Sequence, residues 1–165
     1  MIYTYRYKTP KQFDDLKLVS DGEYLIEVSF ISHEEKIMNN DEKYFADTIR
    51  WLDLYFDHQI PDFIPKYRIN DLTPFREKVI KIMEKIPYGK TITYGQIGEM
   101  IAKEKGIPKM SAQAVGGAVG FNPICIIVPC HRVMGAGNKI TGYGGGIKNK
   151  VALLELEGNL LFIWF

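Results

Sequence analysis

The pair Cys130-His131 is the part of the sequence best suited to nucleophilic chemistry. Cys130 follows Pro129 at the end of an apolar run, and His131 is its neighbour. A thiolate is the useful nucleophile, and a turn or helix start at Cys130 with a cation nearby favours that ionised form. However, a lone cysteine is more often a small buried apolar residue, and neighbouring side chains on an extended chain point apart. The adjacency alone leaves a catalytic role and a structural role open.

The second cysteine, Cys125, lies inside the apolar run and is predicted to belong to the core. In a strand, the spacing of Cys125 and Cys130 would place them on opposite faces, so no disulfide is expected. The cysteines and the scattered histidines His33, His58 and His131 show no metal-ligand spacing. We therefore expect no metal and no other cofactor.

Length and composition set the class of protein. The 165 residues suit one compact domain, or one domain with a small subdomain. The 46% hydrophobic and 25% charged residues exclude disordered, collagen-like and coiled-coil chains. No run approaches the roughly 18 apolar residues of a membrane span. The first residues lack the apolar core of a secretion signal, and so few cysteines suit a reducing compartment, so a cytoplasmic protein is expected.

Charge is distributed unevenly along the chain. Residues 1–70 hold 9 Lys/Arg and 13 Asp/Glu, a net charge of −4. Residues 71–165 hold 12 Lys/Arg and 7 Asp/Glu, a net charge of +5. A polyanionic partner is therefore expected to meet the second half, although surfaces also vary by a few charges at random.

Periodicity in the first half predicts a small sheet and one helix. Alternation over residues 3–8 predicts a strand. A turn-forming Ser-Asp-Gly joins residues 16–19 to residues 23–31, which predicts a hairpin. Residues 41–58 carry apolar side chains at helical spacing, and residues 60–72 are predicted to be a linker.

The second half is predicted to be mainly helical. Thr73 and Thr93 are good N-caps, the latter in a Thr-x-x-Gln capping box. The expected elements are helices over 74–86, 93–106 and 112–120, a buried strand over 124–128, and a last helix over 148–157. The second and third helices are a candidate helix-turn-helix, with an ordinary helical hairpin as the alternative.

Several motifs between residues 73 and 158 occur in a specific order. They are Pro87-Tyr88-Gly89-Lys90-Thr91-Ile92-Thr93-Tyr94, Ala114-Val115-Gly116-Gly117-Ala118 with Asn122-Pro123, Ile127-Val128-Pro129-Cys130-His131-Arg132-Val133, Gly142-Tyr143-Gly144-Gly145-Gly146, and Leu153-Leu154-Glu155-Leu156-Glu157-Gly158. In order and spacing, this set resembles the O6-alkylguanine-DNA alkyltransferases, the methylated-DNA–protein-cysteine methyltransferases. The front half resembles that family only in layout.

The resemblance implies a two-part fold. Residues 1–70 would form a small α/β unit, ribonuclease H-like, with an antiparallel sheet. Residues 71–165 would form a mainly α, winged-helix-like domain with a helix-turn-helix and the alkyl acceptor. The expected protein is a monomer with no membrane and no obligate protein partner.

The resemblance also implies the reaction. The protein would bind the minor groove of double-stranded DNA and flip the damaged base out, because a nucleophile cannot reach the alkyl carbon inside the duplex. The alkyl group of O6-alkylguanine, or O4-alkylthymine, would pass to Cys130 and stay there. Each molecule would therefore react once.

Each matched residue takes a role from the resemblance. Cys130 is the nucleophile, His131 the base that takes its proton through a water, and Glu157 the carboxylate that orients His131. The other implied site residues are Asn122 (holding the turn), Tyr94 (donor to the guanine ring), Val133 and Gly144 (backbone contacts to the base), Tyr143 (pocket wall), and Gln113, Ala114 and Gly117 (DNA contact). Arg132 is expected to have a structural role.

The chain departs from the family pattern in a few places. Gln113 stands where an arginine is usual, and Gly144 where some members have serine. The first half has no cysteine for the structural zinc of some members. The apolar tail after Gly158 is expected to pack against the body.

Three other functions remain open on the sequence alone. A non-enzymatic lesion-binding protein would lack the cysteine, whereas Cys130 is present. A cysteine hydrolase built on Cys130 and His131 would turn over repeatedly. A helix-turn-helix regulator would need base-reading side chains, of which residues 112–120 supply few.

Overall fold

The computed structural model describes residues 1–159, and these form two compact units. The first unit contains Met1–Asn70 together with Pro123–Ile127. The second contains Asp71–Asn122 and the chain from Val128 onward. The sequence predicted a single division at residue 70. The structural units differ from it in that Pro123–Ile127 belong to the first unit. The predicted packing of the apolar tail falls largely on residues 160–165, outside the described residues.

A three-stranded antiparallel sheet forms the centre of the first unit. Its strands are β1 (Tyr3–Tyr7), β2 (Asp15–Ser20) and β3 (Leu25–Ile31), and β2 lies in the middle. Gly22, in the connection between β2 and β3, has a φ of +99°, which a residue with a side chain rarely adopts. The predicted hairpin is therefore confirmed.

The helix α1 (Ala46–Phe56) packs through aromatic rings onto the sheet. One turn of 3-10 helix, ending at Phe45, precedes it. The Phe45 ring lies 5.7 Å from that of Tyr5, and the Phe56 ring lies 6.0 Å from that of Tyr7. The alternating tyrosines of β1 thus supply part of the apolar surface that α1 covers.

The second unit is built from helices, as predicted. They are α2 (Pro74–Glu84), α3 (Tyr94–Lys105), α4 (Ala112–Phe121) and α5 (Ile147–Leu156). α2, α3 and α4 contact one another, and their apolar faces bury Val79, Met83, Ile97, Ile101 and Val115. Among residues 1–159, no helix combines the length and the hydrophobicity needed to cross a bilayer.

Local capping signals place the starts of α2 and α3. The Thr73 side chain accepts a hydrogen bond from the Arg76 N–H at 3.2 Å. Thr93 and Gln96 form a reciprocal capping box, with hydrogen bonds of 3.0 and 2.8 Å. Both predicted N-caps are confirmed, and the second makes Tyr94 the first residue of α3.

A short parallel pairing joins distant parts of the second unit. β4 (Ile92–Thr93) pairs with β5 (Val133–Met134). The start of α3 and the chain just after Cys130-His131-Arg132 are therefore held side by side.

The predicted strand over residues 124–128 is wrong. Only Ile124 makes a bridge, to Val28 of the first unit. The chain then turns, because Ile126 adopts a left-handed φ of +71° and the Ile127 N–H bonds to the Cys125 carbonyl at 2.8 Å. Most side chains of this run are buried. A buried turn requires apolar residues just as a buried strand does, so the apolar composition did not distinguish the two.

Candidate active site

Cys130 is held in a tight turn. It begins one turn of 3-10 helix, Cys130–Arg132, directly after Pro129. Its N–H bonds to the Val128 carbonyl at 2.8 Å, and the Arg132 N–H bonds to the Pro129 carbonyl at 3.0 Å. Cys130 is only 6% exposed, so the thiol lies inside the second unit.

Asn122 holds the chain that leads into this turn. Its Nδ2 donates to the Val128 carbonyl at 2.8 Å, in a buried position. Asn122 and Val128 flank the segment Pro123–Ile127, so this one hydrogen bond joins the two ends of that segment. The predicted role of Asn122 in holding the turn rests on this hydrogen bond.

His131 and Glu157 form a buried pair beside Cys130. His131 Nε2 lies 2.7 Å from Glu157 Oε2, and both side chains are fully buried. Burial lowers the pKa of His131, and Arg132 and Lys150 act in the same direction against Glu157. His131 is therefore neutral at pH 7, and since a carboxylate only accepts, Nε2 carries the proton. The lone pair is then on Nδ1, which is buried and has no hydrogen-bond partner among residues 1–159.

Arg132 clamps the same carboxylate. Its Nε donates to Glu157 Oε1 at 2.8 Å and its Nη2 to Oε2 at 3.0 Å, while Nη1 donates to the Ile86 carbonyl at 2.7 Å. The Gly89 N–H adds a hydrogen bond of 3.2 Å to Oε1. Burial acts to raise the pKa of Glu157, but His131 and Arg132 outweigh it and hold that pKa well below its usual range. Glu157 is thus a fixed carboxylate that is hydrogen-bonded to one ring nitrogen of His131.

The glycine-rich loop places Tyr143 against the thiol. Tyr143 Oη lies 4.0 Å from Cys130 Sγ. A hydrogen bond of 2.9 Å from the Gly146 N–H to the Tyr143 carbonyl forms the turn that leads into α5. Gly144 is exposed, and a methyl group there would meet no atom of the described chain within 4 Å.

Lys150 is a residue that the sequence analysis missed. It is 0% exposed, and its Nζ donates to the Val133 carbonyl at 2.7 Å. The signal for its burial was present, since Lys150 lies three and four residues before Leu153 and Leu154 on the buried face of α5. Gly89 was identified only as part of a motif, and nothing in the sequence predicts its hydrogen bond to Glu157.

The predicted DNA-contacting residues are on the surface of the second unit. Gln113, Ala114 and Gly117 are exposed on α4, whose start is capped by Ser111. Tyr94 is half-buried at the start of α3. The structure therefore brings together Cys130, His131, Glu157, Asn122, Val133 and Tyr143, while the predicted DNA-contacting residues of α4 are exposed.

The prediction that Cys125 belongs to the core is wrong. Its neighbours Ile124 and Ile126 are buried, but Cys125 itself is half-buried. Among residues 1–159, no group of three or more His, Cys, Asp or Glu side chains is arranged to hold a metal ion.

Comparison with known proteins identifies the class of this domain. Residues 74–159, just over half of the chain, match the family model described as 6-O-methylguanine DNA methyltransferase, DNA binding domain. This stretch contains the whole cluster around Cys130.

Full-length relatives extend the similarity beyond that domain. A methylated-DNA–protein-cysteine methyltransferase of Methanosarcina acetivorans is 43% identical over 147 residues, 86% of this chain and 90% of the relative. One of Mycobacterium tuberculosis is 48% identical over 113 residues, 68% of this chain. That match spans 65% of the mycobacterial protein's length.

Solved structures agree with these relatives. The crystal structure of the Mycobacterium tuberculosis O6-methylguanine methyltransferase has a TM-score of 0.78 and 38% identity, covering 95% of this chain and 93% of that one. The complex of the mycobacterial protein with DNA has a TM-score of 0.75 and 38% identity, covering 94% of this chain and 91% of that one. The chain belongs to the methylated-DNA–protein-cysteine methyltransferase family, as the motifs predicted. Its small antiparallel sheet with helices is the fold of that family.

Proposed function

We propose that this protein repairs DNA by transferring the alkyl group of O6-alkylguanine, and of O4-alkylthymine, to Cys130. The sulfur attacks the alkyl carbon, the carbon–oxygen bond breaks, and its electron pair stays on the base. The thioether is stable, so each molecule reacts once. The observation that carries this proposal is the buried His131–Glu157 pair beside Cys130, with the lone pair of His131 Nδ1 left to accept a proton.

The roles of the site residues follow from this geometry. His131 takes the thiol proton through a water molecule, while Glu157, held by Arg132, stabilises the imidazolium that forms. Tyr94 donates a hydrogen bond to the guanine ring as negative charge develops on the leaving base. Asn122 holds the turn that carries the nucleophile.

The remaining residues form the base pocket and the DNA surface. The Val133 carbonyl and the Gly144 N–H contact the flipped base, and Tyr143 forms a pocket wall. Val133 already accepts from Lys150, and a carbonyl has a second lone pair for the base. Gln113, Ala114 and Gly117 lie on the exposed side of α4, which we propose enters the minor groove.

The partner is therefore double-stranded DNA with a flipped alkylated base. The net charge of +5 in residues 71–165 suits a polyanion. The mycobacterial neighbour that was crystallised with DNA supports the same partner. For the finer fold, we propose a ribonuclease H-like first unit and a winged helix-turn-helix formed by α3, α4 and the tight turn in which the Gly135 N–H bonds to the Lys139 carbonyl at 2.8 Å.

Mass spectrometry of the protein after incubation with a duplex containing O6-methylguanine tests the proposal. We expect one methyl group per molecule, located on Cys130 by peptide mapping, and none with an unmodified duplex. Cys130→Ser should bind the duplex without accepting methyl. Cys125→Ser, the matched control, should accept methyl as the parent does.

The same experiment separates the alternatives. Methyl on Cys125 would contradict the assignment of the acceptor. More than one methyl released per protein molecule would favour a cysteine hydrolase. Binding of the modified duplex with no transfer by the parent would favour a lesion-binding protein.

A further inference from the structure

Asn149 is a buried amide at the start of α5 that the proposed mechanism does not use. Its side chain is only 1% exposed, and its Nδ2 donates to the Gly145 carbonyl at 2.7 Å. Gly145 belongs to the glycine-rich loop, residues 142–146, which leads into α5. Asn149 therefore joins the buried side of the helix to the backbone of that loop.

The position of Asn149 in α5 favours a different type of side chain. It is the third residue of the helix, after Ile147 and Lys148, and the N-cap residue Gly146 has no side chain. The free N–H groups and the dipole at a helix start favour acidic side chains. A carboxylate would suit this position but could not donate to the Gly145 carbonyl. The hydrogen bond to the loop therefore explains why an amide stands here.

The glycine-rich loop has little backbone order of its own. Four of its five residues are glycine, the residue type that loses most conformational freedom on folding. The Gly146 N–H bonds to the Tyr143 carbonyl at 2.9 Å and closes a turn. Asn149 holds the Gly145 carbonyl inside that same turn. The conformation of the loop therefore depends on a small number of hydrogen bonds, of which one comes from this side chain.

The loop carries two groups that are proposed to hold the flipped base. Tyr143 Oη lies 4.0 Å from Cys130 Sγ, and the Gly144 N–H is the proposed donor to the base. Gly144 directly precedes the residue whose carbonyl Asn149 holds. A rotation of the Gly145 backbone would therefore displace its neighbour as well. Alkyl transfer needs the alkyl carbon in line with the sulfur, so a small displacement of the pocket slows the reaction.

We propose that Asn149 is a positioning residue for alkyl transfer, which holds the loop 142–146 so that Tyr143 and the Gly144 N–H meet the flipped base in the reacting geometry. Asn149 acts through the loop rather than by contact with the base or the sulfur. Because the loop is ordered before the base enters, less ordering has to accompany binding of the base. This inference rests on the proposed function, since it concerns the pocket that presents the alkyl group to Cys130.

Hydrogen–deuterium exchange of the protein without DNA is the first test. Asn149→Leu keeps nearly the same shape but removes the hydrogen bond to the loop. We expect the amides of residues 142–146 to exchange about tenfold faster, the effect of losing one hydrogen bond of ordinary strength. Asn159→Leu is the matched control, because Asn159 Nδ2 also donates to a glycine carbonyl, that of Gly89 at 3.2 Å, beyond the other end of α5. It should leave exchange in the loop unchanged.

Single-turnover transfer from a duplex containing O6-methylguanine is the second test. At saturating duplex, Asn149→Leu should transfer methyl about tenfold more slowly than the parent. Its affinity for an unmodified duplex should be unchanged, because α4 is the proposed DNA-binding element. Asn149→Gln, which keeps a donor amide, should restore part of the rate. A merely structural role would lower stability but leave the rate of the folded protein as it is.

Asn149→Asp is a second variant in case Asn149→Leu does not fold. It has the shape of the parent side chain and suits the helix start, but its carboxylate cannot donate to the loop. The same changes in exchange and transfer are expected. A folded variant with the parent's loop exchange, or with the parent's rate at saturating duplex, would overturn the proposal. A parent protein that transfers no methyl would instead refute the proposed function, and the exchange test would still show whether Asn149 holds the loop.

Discussion

At the scale of single residues, Glu157 does the most to organise the site. It accepts hydrogen bonds from His131, from Arg132 and from the Gly89 N–H while fully buried. Such a group is valuable only while all its partners are present, because removing one leaves a buried charge without compensation. We therefore expect both stability and reactivity to depend on the Glu157 carboxylate.

Glu157→Gln tests this dependence. The amide cannot compensate the buried guanidinium of Arg132, so the free energy of unfolding should fall by about 3–5 kcal/mol at pH 7. Chemical denaturation measures this, and single-turnover methyl transfer should also slow. Glu155→Gln, an exposed position on the same helix, should leave both quantities unchanged. Equal stability of Glu157→Gln and the parent would contradict the clamp.

The difference in unfolding free energy between the parent and Glu157→Gln should depend on pH, because the pKa of Glu157 is lowered in the folded protein. A carboxylate with a depressed folded pKa stabilises the fold fully above its unfolded value, about 4.3, and loses this contribution as the pH falls toward the folded value. The gap in unfolding free energy between the parent and Glu157→Gln should therefore be constant near neutral pH. It should narrow below about pH 4.

At the scale of elements, the connection between α2 and β4 contacts Glu157 and the end of α5. Gly89 in this connection has a φ of +78°, and a methyl group there would lie 3.1 Å from the Glu157 carbonyl. The Tyr88 hydroxyl donates to the Leu156 carbonyl at 3.3 Å, and Asn159 Nδ2 donates to the Gly89 carbonyl at 3.2 Å. The end of α5 thus depends on a loop almost 70 residues earlier in the chain.

Gly89→Ala and Gly106→Ala separate backbone strain from this contact. Both glycines have a left-handed backbone conformation, with φ of +78° and +67°. Each substitution should therefore lower the free energy of unfolding by about 1–2 kcal/mol. A methyl group at Gly106 would meet no atom of residues 1–159 within 4 Å. Only Gly89→Ala should also displace Glu157 and slow methyl transfer severalfold, as single-turnover kinetics would measure. Equal transfer rates for the two variants would show that the loop does not position Glu157.

At the scale of the whole molecule, charge separates the two halves of the chain. Residues 1–70 carry −4 and residues 71–165 carry +5, so DNA is expected to meet the second half. Gln113 is exposed in the first turn of α4, where it adds length and hydrogen-bonding capacity but no charge. An arginine there would add a cation at the proposed DNA surface.

Gln113→Arg should therefore tighten DNA binding at low salt and steepen its salt dependence. One additional phosphate contact changes the slope of log K against log salt by up to about 0.9. Gln12→Arg adds the same charge at an exposed position in the first unit and should leave the slope unchanged. Binding isotherms at several salt concentrations measure both. Parallel slopes for the two variants would show that Gln113 does not enter the groove.

The sequence alone determined those features that depend on near neighbours in the chain. The hairpin in the first half, the N-caps at Thr73 and Thr93, and the helical character of the second half all rest on interactions within a few residues. The family could be identified in the same way, because its motifs are short and keep their order. Cys130 and His131 stood out through their residue types alone.

The tertiary structure decided everything that depends on distant partners. The apolar run 124–128 predicted burial. Its bridge to Val28 and its turn at Ile126 could be recognised only in the folded structure. Lys150 is buried with its ammonium on the Val133 carbonyl of β5, and nothing in the sequence of α5 predicts that partner. Hydrophobic and capping patterns act over a few residues, whereas the electrostatics of a buried site depend on which groups folding brings within a few ångströms.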